Sequence, residues 1–108
     1  MAAPPPALDA LRARLAELAD LADLSRLAAW DQRTMMPPAG GPARAHQLAT
    51  LERIAHDLAG ADEIGAWLDE LEPIADTLPE VDRDLVRVAR RDWERTRRVP
   101  VELATEGA

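Results

Sequence analysis

Residues 7–51 read ALDALRARLAELADLADLSRLAAWDQRTMMPPAGGPARAHQLATL. Leu8, Leu11, Leu15 and Leu18 recur at helical spacing, and Leu21, Leu24, Leu27 and Trp30 follow at strict intervals of three. Each step of three turns the apolar position back by about 60° from a straight stripe, so the stripe winds around the helix. Its two halves are therefore expected to face different neighbours, as in a helix wedged among several others. Met36 precedes Pro37 and is pushed out of helical geometry, which should end the first helix by about Met35. Gly41-Pro42 then has the form of an N-cap followed by proline in the first turn of a second helix.

Outward from this junction the helical pattern continues. Leu48, Leu51, Ile54, Ala55 and Leu58 share one side of the second helix, and Gly60 stands where it should end. A short third helix is expected, with Asp62 as N-cap and Ile64, Trp67, Leu68 and Leu71 on its buried face, stopping near Pro73. Thr77-Leu78-Pro79-Glu80 has the form of a capping box and opens a fourth helix that runs to about Arg98. Val99-Pro100 breaks it, and Val101-Glu102-Leu103 looks like a fifth element just begun. The expected fold is all-α: an antiparallel bundle of helical hairpins with about four helices, roughly 7–35, 42–59, 62–72 and 78–98. It forms one segment, 1–108, without internal repeats or a flexible linker.

Composition agrees with helices. The 108 residues include 22 Ala and 15 Leu but no Phe or Tyr, poor material for strands. The absence of Cys excludes disulfides, thiolate metal sites and cysteine nucleophiles, and fits a reducing compartment. Asp9, Arg12 and Arg14 interrupt any signal-peptide apolar stretch, and no run approaches the roughly 20 apolar residues of a membrane span. A cytoplasmic protein with no membrane partner is expected. The net charge of −7 also argues against nucleic acid, because phosphates would be repelled overall.

The charge is uneven. Residues 1–82 carry 6 Arg against 15 acids, whereas 83–98 carry 7 Arg against Asp84, Asp92 and Glu94. With Arg83 at 0° and 100° per residue, all seven arginines fall between about −40° and 120°. Val81, Leu85, Val86, Val88, Ala89 and Trp93 fall between about 140° and 300°, so the fourth helix is cleanly two-faced. Arg83, Arg87, Arg91 and Arg95 are candidates for a face that meets an acidic partner. A solvated or internally salt-bridged face is the plainer reading, since Asp84, Asp92 and Glu94 dilute it.

The residues offer no catalytic or metal-binding set. A helical zinc site needs two His four residues apart on one face. His46 and His56 are ten apart and diverge by about 80° on one helix. Ser25 has no His and carboxylate in a triad arrangement, and Gly40-Gly41 runs into Pro42 without the Lys of a phosphate loop. Glu17, Asp20 and Asp23, at intervals of three, read as a charged solvated helix face. The junction is different. Asp31 lies near a helix C-terminus, where the dipole disfavours an acid, so Arg33 or Arg44 is expected as its partner. Trp30, Asp31, Thr34, Met36, Pro37 and Arg44 either lock this joint, with Trp30 plugging the core, or line a ligand groove.

At these residues the sequence closely resembles the N-terminal region of the M32 (Taq-type) metallocarboxypeptidases. WDQRTMMPPAGGPARAHQLATL, Trp30 to Leu51, carries the W-D-x-x-T-x-M-P-P core, and VARRDWERTRRVPVELATE, Val88 to Glu106, gives a second match. The resemblance implies part of an all-helical enzyme, several times longer, that releases single residues from peptide C-termini. Family members hold Zn2+ or Co2+ with an HExxH helix and a downstream Glu, and the motif Glu polarises the attacking water. They commonly form homodimers, and their N-terminal helices help wall a deep substrate groove. HExxH and the third ligand do not occur in these 108 residues, so no catalytic or metal residue carries over. The chain is expected to be a piece of such an enzyme, inactive alone, that associates with a second copy or with the catalytic portion. Its class alternative is a stand-alone helical interaction module that leaves no large apolar patch exposed.

Overall fold

The computed structural model describes residues 3–34 and 41–98, and of 31–34 and 41 it describes the backbone only. The all-α expectation is borne out: helix α1 spans Pro6–Thr34, α2 Gly41–Ala59, α3 Asp62–Leu71 and α4 Glu80–Arg98. A 3-10 segment, Glu72–Thr77, follows α3 directly. No strand occurs among the described residues.

The contacts fix the directions. Arg14 near the start of α1 donates to the Leu58 carbonyl near the end of α2, at 3.4 Å. These two helices therefore form an antiparallel hairpin. Arg97 reaches Asp62 at 2.8 Å while Arg90 reaches Asp69 at 2.6 Å, so α4 runs antiparallel to α3. Helix α1 packs mainly on α2 and next on α3, α4 packs mainly on α3, and α1 and α4 touch each other little.

The core sits where the first half of α1 meets α3 and α4. Leu8, Leu11, Leu68 and Leu71 are fully enclosed, with Ile64, Val86 and Ala89 beside them and Leu15, Trp67, Leu85 and Trp93 at the margin. The first half of the α1 stripe lies in this core; in the second half of the helix Ala28 is buried and Leu21 half-buried. Leu18 and Ala19 of α1 still face α4 across a pocket, and farther along the helix several of its large apolar residues are exposed. Leu24 is 51% exposed, Leu27 64% and Trp30 59%, and Ile54 of α2 is also exposed. The molecule is accordingly long, 56 × 28 × 17 Å.

Several local expectations are corrected. Asp62 is not the N-cap of α3; Ala61 occupies that position without a side-chain bond, and the Asp62 carboxylate pairs with Arg97. Pro73 ends the α-helical ladder, having no N–H to give, but suits the first turn of the tighter 3-10 segment. Thr77 does not cap α4. Its hydroxyl donates back to the Ile74 carbonyl at 2.6 Å, and the Pro79 carbonyl accepts the first bond of α4 from the Arg83 N–H. Gly60 does end α2, but without positive φ. The segment after Pro100, expected to begin a fifth element, lies outside the described residues.

Candidate functional site

Three regions could carry function: the junction, the arginine face, and an apolar cleft. At the junction, Trp30 lies on the last turns of α1 and is mostly exposed. The expectation that it plugs the core is corrected, because α3 and α4 do not extend that far along α1. With Asp23, Arg26, Leu27 and Ala29 it borders a hollow of about 520 Å3. Asp31 and Thr34 occupy the end of α1, their side chains outside the described residues, as are Met36 and Pro37 altogether. Arg44, in the first turn of α2, donates to the Gln47 side chain at 3.1 Å.

On α4 the seven arginines do not act as one face. Arg90 and Arg97 turn toward α3. Arg90 makes a two-pronged pair with Glu72, at 2.7 and 3.0 Å, and reaches Asp69. The hydrogen bonds from Glu72 and then Asp69 push its pKa above the ordinary arginine value, so its charge is permanent. Arg97 donates to the Gly60 carbonyl at 2.7 Å as well as to Asp62. Between them stands Trp93, whose indole N–H donates to the Ala61 carbonyl at 2.9 Å. The guanidiniums of Arg97 and Arg90 lie 4.9 and 5.4 Å from its ring centre. These residues strap α4 to α3. Arg83, Arg87, Arg91 and Arg95 point outward and are exposed, with loose contacts from Arg87 to Asp84 at 3.7 Å and Arg91 to Asp92 at 3.8 Å.

Asp82, an acid near the start of α4, faces inward. It is 8% exposed and paired with Arg12 of α1. Glu17 and Asp23 behave as the solvated acids they were expected to be, pairing with Arg14 and Arg26 on their own helix.

The cleft opens between α1 and α4 and has a volume of about 640 Å3. Leu15, Leu18 and Ala19 form one wall; Val81, Leu85 and Val88 form the other; Ile64 and Ala59 close the base. Among the described residues, its charged lining residues are Asp84 and Asp92. A signal for it was present on the helical wheel. Asp92 falls at about 180°, within the apolar arc and not on the arginine face. That arc spans about 160°, wider than α3 alone covers: Val86, Ala89 and Trp93 meet the core, while Val81, Leu85 and Val88 face the cleft.

Metal donors are sparse. Among the described residues no three His, Asp, Glu or Cys side chains converge. His46 is exposed and His56 half-buried, both on α2. These residues do not fit a zinc or cobalt site, and no reaction step runs through them. No described helix is long and apolar enough to cross a membrane.

Residues 10–108 match the profile of the carboxypeptidase Taq (M32) metallopeptidase family. The chain belongs to that family. This M32 chain is also 41% identical over 87 residues to thermostable carboxypeptidase 1 of Thermus thermophilus. The alignment takes in 74% of this chain and 16% of the relative, so the chain spans a minor part of that protein's length. The M32 match includes both sequence blocks quoted above and the whole of the cleft from Leu15 to Thr96.

Proposed function

We propose that this chain is the N-terminal helical scaffold of an M32 metallocarboxypeptidase, an enzyme that releases C-terminal residues from peptides. It forms an antiparallel set of about four helices leading into a fifth after Pro100. It contributes wall and support to the substrate groove, and is inactive alone because HExxH is missing from its sequence. Trp30, Asp31, Thr34, Met36, Pro37 and Arg44 lock the joint or border the groove. The same reading gives the whole enzyme Zn2+ or Co2+, a peptide substrate, a cytoplasmic location and a homodimeric state.

The observation that carries it is the M32 match over residues 10–108 of a fold in which Leu24 and Leu27 are mostly exposed. A stand-alone interaction module would be expected to bury such residues. The test is a chimera in which this chain replaces the matching N-terminal part of the Thermus thermophilus enzyme. Metal-dependent release of a C-terminal amino acid from a blocked dipeptide is expected from the chimera and not from the 108-residue chain. Release by the chain alone would refute the reading, as would a folded, metal-loaded chimera that does not turn over.

A further inference from the structure

Gly60 closes α2 without the left-handed conformation that lets a helix bond its last carbonyls to the N–H groups just beyond it. Those carbonyls therefore need donors from elsewhere. The backbone supplies three bonds at the corner, from Gly60 N–H to the His56 carbonyl, from Ala61 N–H to Leu58 and from Ile64 N–H to Ala61. The second of them is long, at 3.4 Å. Helix α3 then opens with Asp62 and Glu63 in its first turn. The negative end of one helix and two carboxylates thus meet at a single turn.

Two arginines reach this turn from different helices. Arg14 of α1 donates to the Leu58 carbonyl at 3.4 Å and to Glu63 at 3.0 Å, and its guanidinium lies 5.4 Å from the centre of the Trp67 ring. Arg97 of α4 donates to the Gly60 carbonyl at 2.7 Å and to Asp62 at 2.8 Å, and lies 4.9 Å from the centre of the Trp93 ring. Each guanidinium touches the end of α2, an acid of α3 and an indole. Its fixed fork of donors suits that double contact, whereas an ammonium is a single point charge. The Trp93 indole N–H takes the Ala61 carbonyl at 2.9 Å. A methyl group on Gly60 would stand 3.3 Å from Cγ2 of Thr96 and 3.6 Å from Cγ of Arg97, so the end of α4 rests on the turn itself.

We infer that the α2–α3 corner is a two-sided clasp. Arg14 and Arg97 oppose one shared opening event, that of the turn from Leu58 to Ile64, and make a fixed joint where Gly60-Ala61 would otherwise be a hinge. The competing picture is two unrelated surface straps, one tying α1 to α2 and the other tying α4 to α3. The clasp also bears on the cleft, whose residues Ala59, Ile64, Trp93 and Thr96 come from the elements joined at this corner. It stands on these contacts and not on the function proposed above.

Amide hydrogen exchange on the 108-residue chain tests it, read at Gly60, Ala61 and Ile64, whose N–H groups bond within the corner. Arg14→Gln and Arg97→Gln are each expected to raise the opening constant of all three amides about fivefold, the equivalent of about 1 kcal/mol. Because both act on the same event, the double variant should show the product, about 25-fold. Leu68 and Val86, deep in the core, should keep their protection. Overturning results are a single variant that leaves the corner unchanged, effects of the two that fall on different amides, or a double variant no faster than the worse single one. The pair Arg14→Lys/Arg97→Lys keeps both charges and loses the fork, so its corner should still exchange faster than that of the natural chain. It supplies the reading if the glutamine pair loses core protection as well, and exchange equal to the natural chain's would overturn the inference.

Discussion

A methyl group on Gly65 would stand 2.5 Å from Cζ2 of Trp93 and 2.6 Å from its Cη2, closer than carbon atoms can approach. The indole cannot swing away cheaply, because its N–H is bonded to the Ala61 carbonyl and Arg97 covers its face. Two effects therefore compete in Gly65→Ala. Alanine is favoured in a helix interior by about 1 kcal/mol, whereas overpacking a rigid site costs about 1–3 kcal/mol. Overpacking should win, with a net loss of about 1 kcal/mol in urea unfolding. Adding Trp93→Leu should bring out the helix gain, so that Gly65→Ala becomes stabilising in that background. A stabilising Gly65→Ala in the natural background would show that the contact is soft. None of this could be read from residues 62–71 alone. A helical glycine signals a local cost, and its reason lies 28 positions away on α4.

At the scale of the element, the strap along one edge of α4 deserves the most specific prediction. Arg90, Trp93 and Arg97 occupy one edge of the helix and grip α3 and its flanks, from Gly60 to Glu72, through carboxylates and two carbonyls. Arg90→Ala should cost about 1 kcal/mol, more than a typical single surface pair, because the guanidinium is mostly covered and engages Glu72 with two prongs. The loss should shrink as sodium chloride is raised to about 1 M, where screening acts over roughly 3 Å. A difference that does not respond to salt would assign the effect to packing on Trp93 instead. The raised pKa of Arg90 places its stabilising charge on the acid side of a very alkaline transition. The contribution is complete below the ordinary arginine pKa and fades only as pH climbs through the raised one, so it is constant around neutrality.

The helix boundaries were legible in the sequence to within a residue or two, because proline and glycine punctuate it at Pro37, Gly41, Gly60, Pro73 and Pro79. The caps were not. Asp62 and Thr77 have capping chemistry, but Arg97 recruits the first and the 3-10 turn recruits the second. Wheel geometry likewise separated arginines from apolar residues on α4 without showing that Arg90 and Arg97 turn inward. That division depends on where α3 places Glu72, Asp69 and Asp62.

Over the whole molecule, stability should be graded along α1. Its first half lies in the core with α3 and α4, and its second half is accompanied by α2 and leaves Leu24, Leu27 and Trp30 exposed. The strict three-residue spacing of Leu21, Leu24, Leu27 and Trp30 foretold a change of neighbour partway along the helix. It could not foretell that one neighbour would be absent among the described residues, since a sequence records which face is apolar and not what covers it. Local opening free energies follow buried apolar contact, from near zero at uncovered ends to the global value in the core. Amide hydrogen exchange on the 108-residue chain should therefore protect residues 8–15, 64–71 and 86–89 most strongly. Protection should fall from about Leu21 through Trp30, and the facing turns of α2 around Ile54 should exchange early. Uniform protection of α1 in the free chain would mean that its distal half is already covered in solution. A concentration series would then assign that cover, because protection conferred by a second copy fades on dilution while protection from the chain's own fold does not.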